Sequence, residues 1–240
     1  MAMVHREALL DGALAAWVTT GAWLILRSRW FTHIGWTLLF GLVCGLGAMT
    51  KWTLPIYLVI PVLFGVIASK QPLRSLRNLV VAGLVALTVM VPYYLQNLAV
   101  MVSRYPTTDQ AGLIPWRPYP RHGEPGLDNI WGWIYYPRVL ASYFLYLPLT
   151  VLFGVGLFRE AFRVPRSGFR VLGSEGTDPP GHRVPLFLWS WLLSGLVLLI
   201  LLTPKDPRFA LPVVPPVAIL LLHFWERRPR LIHLILAIAL

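Results

Sequence analysis

Apolar runs long enough to cross a lipid bilayer recur along the whole of this 240-residue chain, at roughly 12–26, 34–50, 53–69, 79–95, 138–158, 186–203, 209–225 and 231–240. A hydrocarbon core of about 30 Å takes roughly 17 to 25 apolar residues in helical form. Lipid offers backbone N–H and C=O groups no partners, so the helix, which satisfies its own, is the expected element. The runs therefore predict an all-α fold, a polytopic transmembrane helix bundle of about eight spans with the last incomplete. Composition agrees, because 57% of the residues are hydrophobic and 13% charged, against about a quarter charged in soluble domains.

The formal charge of +11 does not imply a nucleic-acid partner, because the basic residues sit between the apolar runs. Arg27 and Arg29 form one basic connection, Lys70, Arg74 and Arg77 a second, Arg159, Arg163, Arg166, Arg170 and Arg183 a third, and Arg227, Arg228 and Arg230 a fourth. These are alternate connections. An excess of Lys and Arg marks the cytoplasmic side, so all four are expected inside. Arg6 is followed by Glu7 and Asp11, and Arg27 and Arg29 come after the apolar run, the reverse of signal-peptide flanks. Cys44 is the only cysteine, which excludes an intrachain disulfide.

The chain reads as a single transmembrane domain over residues 1–240. The stretch 96–137, rich in Pro, Trp, Tyr and Gly, is expected to be an external loop lying at the headgroup level, where aromatic rings are enriched. Residues 159–185 read as a flexible, basic cytoplasmic linker by their Gly, Pro and Arg content. The opposite, outer face then receives Glu7, Asp11, Lys51, Asp109, Glu124, Asp128, Lys205, Asp206 and Arg208. Chemistry is expected there.

Asp11 and Glu7 are expected where the first span begins, and a carboxylate at a helix N-terminus is favoured by the helix dipole. Capping alone would explain them; yet an ionisable group against an apolar helix normally has a partner. Lys51 lies between two apolar runs with almost no loop around it. It is either a snorkelling anchor or a fixed cation for a phosphate. Lys205 and Arg208 break the positive-inside pattern, and phosphate is the natural partner for a compact ammonium and a planar guanidinium. Pro212, Pro215 and Pro216 are expected to make the next span irregular. His122 and Glu124 lack a recognisable metal-ligand spacing, so no metal and no cofactor is expected.

Three stretches resemble the GT-C glycosyltransferases, in particular their protein O-mannosyltransferase and lipid A aminoarabinose transferase branch. Arg6-Glu7-Ala8-Leu9-Leu10-Asp11 resembles the family's Arg-x-x-x-x-Asp segment, and Gly45 to Lys51 its Gly-Leu-x-x-Leu-Thr-Lys segment. Lys205 to Pro216 resembles Lys-x-x-Arg-Tyr-x-x-Pro-x-x-Pro, with Phe209 in place of the tyrosine. The resemblance implies a transferase that takes its sugar from a polyprenyl-phosphate donor and delivers it to a protein or lipid acceptor on the extracytoplasmic face of a bacterial inner membrane.

The same resemblance places Arg6, Lys51, Lys205 and Arg208 at the donor phosphate. It gives Asp11 and Glu7 supporting acidic roles, because the principal base of the family lies in an outer loop that would precede Met1. The chain is thus expected to lack an N-terminal portion, to leave Asp11 facing lipid or loosely hydrated, and to be inactive on its own. Two other functions compete: a transporter of lipid-linked or small solutes, which would carry ionisable residues deep within spans, and a noncatalytic scaffold whose cations bind anionic headgroups.

Overall fold

The computed structural model describes residues 2–104, 129–161, 183–201 and 206–225; within these the side chains of 2–9, 99–104, 146–147, 160–161 and 183 are not described. The described residues form eight α-helices: α1 (Ala2–Arg27), α2 (Ile34–Thr50), α3 (Leu54–Ala68), α4 (Pro72–Arg104), α5 (Ile130–Val139), α6 (Tyr146–Ala161), α7 (Arg183–Leu201) and α8 (Val214–Trp225). A π-helical turn, Leu140–Phe144, joins α5 to α6, and a 3-10 helix, Pro207–Val213, leads into α8. The expected all-helical membrane fold is what forms. Among the described residues three helical stretches, Pro72–Leu98, Val184–Leu201 and Pro207–Trp225, are long and apolar enough to cross a bilayer.

Helices α1, α2 and α3 run back and forth, so the α1–α2 and α3–α4 connections lie at one end and the α2–α3 turn at the other. The first end is tied together by side chains. Ser75 of α4 donates to the carbonyl of Trp30 at 2.7 Å, and Asn78 donates to that of Phe31 at 2.8 Å. This latch is needed because Arg29, Trp30 and Phe31 all have positive φ, at 51°, 60° and 65°. Each costs an L-residue about 1–2 kcal/mol. The buried Ser28 hydroxyl also accepts from the Phe31 N–H at 2.9 Å, and Phe31 is buried edge-on against Phe40, with ring centroids 5.3 Å apart.

Helices α2 and α4 pack backbone against backbone at two glycines. A Cβ on Gly41 would stand 2.2 Å from the carbonyl oxygen of Ala82, and one on Gly45 would stand 2.9 Å from that of Ala86. Glycines four apart facing alanines four apart are the small-residue packing that holds helices together in lipid, where no hydrophobic force does so. At the far end of α2, Tyr94 of α4 donates to the Ala48 carbonyl at 2.7 Å, fixing the helix just before Lys51.

Three expectations need correction. The first helix does not start near residue 12; it runs from Ala2. A hydropathy window reads transfer into lipid, whereas Met, Arg, Glu, Ala and Leu in 2–10 are good helix formers whatever surrounds them. Of the stretch expected as a loop over 96–137, residues 96–104 continue α4 and residues 130–137 belong to α5, while 105–128 lie outside the described residues. The run 138–158 is not one straight helix. Thr150 donates to the Ala141 carbonyl at 3.0 Å, whereas nine residues of straight helix would span about 13.5 Å. The chain bends sharply at the π-turn.

The expected irregularity of the 209–225 run is present. Pro207 and Pro212 lie in the 3-10 helix, and Pro215 and Pro216 fall in the first turn of α8, where amides lack helical partners anyway. Of the linker expected over 159–185, residues 159–161 end α6 and 183–185 begin α7, and 162–182 lie outside the described residues, as do the expected span at 231–240, the connection expected at 226–230, and His122 and Glu124.

Candidate active site

Asp11, Lys51, Asp206 and Arg208 come from three distant segments and meet at one end of the bundle. Asp11 lies within α1, not at its start, so it caps no helix. Its side chain is 3% exposed, which overturns the expectation of a carboxylate facing lipid or water. The partner foreseen for it exists. Lys51 Nζ donates to Asp11 Oδ1, and Arg208 Nε lies 3.8 Å from Asp11 Oδ2.

The turn that presents Lys51 is short, with α2 ending at Thr50 and α3 starting at Leu54. Gly47 lets α1 and α3 close on it, because a Cβ there would meet Leu54 Cδ1 at 2.2 Å and Trp17 Cβ at 3.1 Å. Trp17 of α1 donates through Nε1 to Thr50 Oγ1 at 3.1 Å. The Lys51 ammonium stands over the Phe209 ring, 4.7 Å from its centroid, a cation–π contact. The tyrosine-to-phenylalanine departure noted in the sequence therefore keeps the ring face and omits only a hydroxyl.

Asp206 caps the 3-10 helix by accepting from the Arg208 N–H at 2.9 Å. It also takes the Arg208 guanidinium through Nε at 3.0 Å to each carboxylate oxygen and through an Nη at 2.6 Å to Oδ2. Partial burial pushes the Asp206 carboxyl up. The Arg208 side-chain and backbone hydrogen bonds, then the charges of Arg208 and Lys51, outweigh it and leave the group below its ordinary 3.8. A carboxylate with a lowered folded-state pKa contributes stability above its unfolded value, and that contribution is lost as pH falls through the folded value. Acidification below about pH 3.8 is therefore expected to weaken the cap and ion pair that hold the start of the 3-10 helix. Asp206→Asn, which keeps a capping oxygen, should remove that acid-dependent step; tryptophan fluorescence against pH reads it.

Tyr57 was not foreseen. This α3 side chain is 1% exposed, and its hydroxyl donates to the Phe209 carbonyl at 2.9 Å, pinning the 3-10 helix from below. A tyrosine in an apolar run gives no sequence signal of such a bond; its partner lies 152 residues away. Of the other expected site residues, Lys205 lies outside the described residues, as do the side chains of Arg6 and Glu7, whose backbone belongs to α1.

The four described charged groups sum to zero, two cations against two carboxylates. They are unequally placed, with the Lys51 side chain 23% and that of Arg208 38% exposed over a carboxylate that is 3% exposed. Asp11 is thus a buried counter-ion beside two partly exposed cations, bonded to Lys51 and 3.8 Å from Arg208, which Asp206 holds. Among the described residues no group of three or more His, Cys, Asp or Glu is placed to hold a metal.

No family model and no solved structure matches the chain. Curated proteins do. Over 242 residues, 92% of this chain, it is 29% identical to undecaprenyl phosphate-alpha-4-amino-4-deoxy-L-arabinose arabinosyl transferase 2 of Pseudomonas fluorescens (strain Pf0-1). Over 234 residues, 91% of this chain, it is 25% identical to the arabinosyl transferases of that name from Yersinia pestis (strain Pestoides F) and Yersinia pseudotuberculosis (strain YPIII). The matched region is 37% of the Pseudomonas protein and 36% of the Yersinia ones. Across nearly its whole length the chain is therefore similar to a little over one third of the undecaprenyl-phosphate aminoarabinose arabinosyl transferases, which bears out the resemblance to GT-C glycosyltransferases carried by its three motifs.

Proposed function

We propose that these residues form part of a membrane glycosyltransferase that moves a sugar from a polyprenyl-phosphate donor to a lipid acceptor. The observation that carries the reading is the convergence of Asp11, Lys51 and Arg208 from three motifs into one ion cluster whose cations are partly exposed over a buried carboxylate. Transfer breaks the bond between the sugar C1 and the phosphate oxygen and forms one from C1 to an acceptor oxygen. The departing polyprenyl phosphate gains negative charge. Lys51 and Arg208 are the groups to stabilise that charge as it develops, and preorganised cations in a poorly hydrated site do so efficiently. The acceptor proton goes to a carboxylate base. Both Asp11 oxygens already face cations, which suits it to orienting Lys51 and Arg208, the supporting role given by the resemblance. Lys205 and Arg6 join the phosphate site in this reading, and Glu7 the acidic support.

The reading places the cluster on the extracytoplasmic side of an inner membrane, with the 27–33 and 70–78 connections in the cytoplasm. Two experiments test it. Inverted and right-side-out vesicles carrying Pro120→Cys in a Cys44→Ser background are expected to label from the external side; labelling only from the cytoplasm would overturn the outward site. The full-length protein, supplied with undecaprenyl-phosphate aminoarabinose and a lipid acceptor, is expected to form the glycosylated product. Binding of that donor without transfer to any acceptor would instead favour a transporter or scaffold.

A further inference from the structure

The end of the bundle away from Asp11, about 24 Å down α1 at 1.5 Å per residue, carries a second charged site that the transfer chemistry does not use. Arg27 precedes the left-handed turn and Arg29 opens it, and Lys70, Arg74 and Arg77 lie at and just after the α3–α4 connection; all five are exposed. The two connections are tied together by buried hydrogen bonds. Ser75 and Asn78, 0% and 3% exposed, bind the carbonyls of Trp30 and Phe31. Ser69 donates its hydroxyl hydrogen to Ser75 at 2.7 Å, since Ser75 has given its own to Trp30 and each hydroxyl carries one. Ser69 in turn accepts the Gln71 N–H at 3.1 Å.

Nothing nearby in sequence neutralises these cations. No Asp or Glu occurs between Asp11 and Asp109, and among the described residues none of the five forms an ion pair. Arg27 lies over the Trp36 ring at 5.3 Å, and Trp36 meets Trp23 edge-on with centroids 5.7 Å apart. Beside the cations in sequence the chain is apolar and open, with Leu73, next to Arg74, 83% exposed and Ile67, three residues before Lys70, 72% exposed. Cations on two connections that are tied together, with exposed aliphatic side chains close by in sequence and tryptophans on α1 and α2, match a molecule that has an anionic head and acyl tails.

We infer that the latched α1–α2 and α3–α4 turns form a binding site for an anionic phospholipid, its headgroup held by Arg29, Arg74 and Arg77 and its chains lying along Ile67 and Leu73. The site is independent of the transferase reading. Its rigidity comes from the Ser75 and Asn78 latch, which distinguishes it from a loose polybasic segment. The cations attract the headgroup and the latch spares it the cost of gathering them.

Native mass spectrometry of the full-length protein, released from nanodiscs of phosphatidylcholine doped with phosphatidylglycerol, tests the inference. The wild-type protein is expected to retain phosphatidylglycerol in preference to phosphatidylcholine. Arg29→Gln/Arg74→Gln/Arg77→Gln should weaken that retention on the order of a hundredfold, since each cation near a membrane surface contributes about fivefold. The corresponding triple Lys variant, which keeps the charges should a Gln variant fold poorly, should stay within about tenfold of wild type. Arg159→Gln/Arg163→Gln/Arg166→Gln, which neutralises a different basic stretch, should retain the lipid as wild type does. Undiminished retention in the first Gln triple, or an equal loss in the Arg159 triple, would overturn the site, the second outcome showing only diffuse surface attraction.

Discussion

Lys51→Ala in the full-length protein is expected to lower sugar transfer by on the order of a hundredfold while leaving membrane insertion intact, and Arg208→Ala by a similar factor. Removing one preorganised charge-stabilising group typically costs that much in rate. The geometry adds a distinction between the two. Lys51 touches the buried Asp11 carboxylate directly, whereas Arg208 Nε stands 3.8 Å from it and is held chiefly by Asp206. Lys51→Ala therefore also leaves a buried carboxylate short of its nearest cation, so a loss of thermal stability should accompany the loss of rate. Arg208→Ala should affect rate more than stability. The double variant Asp11→Asn/Lys51→Ala separates the effects, because removing both charges relieves the buried-charge penalty without restoring phosphate stabilisation. Transfer assays beside thermal unfolding in detergent would check this. Wild-type transfer rates in both single variants would reduce the cluster to a structural tie between α1, the α2–α3 turn and the 3-10 helix.

Gly41→Val is expected to cost about 2 kcal/mol or more of stability, within the range for forcing extra carbon into a packed interior. A Cβ at this position would lie 2.2 Å from the Ala82 carbonyl oxygen and 2.8 Å from its carbon. Both are backbone atoms, so no rotamer change relieves the clash and the helices must part. Separation of α2 from α4 also strains the Tyr94 hydrogen bond to Ala48, three residues before Lys51, and so should reduce transfer as well. Gly83→Ala serves as the control. It lies on α4 with nothing within 4 Å of its Cβ position, and alanine is the better helix former by up to about 1 kcal/mol. Equal unfolding midpoints for Gly41→Val and wild type would show that α2 and α4 do not pack as closely as the geometry requires.

The hydrophobic pattern by itself was enough to establish a helical membrane protein. Backbone groups have no other solution in lipid, so long apolar runs leave one class of fold. It placed α2, α3 and α7 to within a few residues, and the short turn around Lys51, because hydropathy changes sharply where Thr50, Lys51 and Trp52 interrupt it. The motifs further singled out Lys51 and Arg208, with Lys205 and Arg6, as candidates for a phosphate, and Asp11, with Glu7, as a supporting carboxylate. Hydropathy failed where helix and lipid part company. Residues 2–10 are too polar to register as a span and yet are helical, and 138–158 registers as one span and yet bends at Leu140–Phe144. Only the tertiary structure decided how the three motifs use one another. That Asp11 is buried behind Lys51, that Phe209 offers its ring to the ammonium, and that Tyr57 holds the Phe209 carbonyl are relations between residues tens to hundreds of positions apart. They follow from the approach of α1, α3 and the 3-10 helix, an approach permitted by glycines such as Gly47 and set by packing. A linear pattern records each residue's own preference for lipid or water; it holds no term for which neighbour arrives.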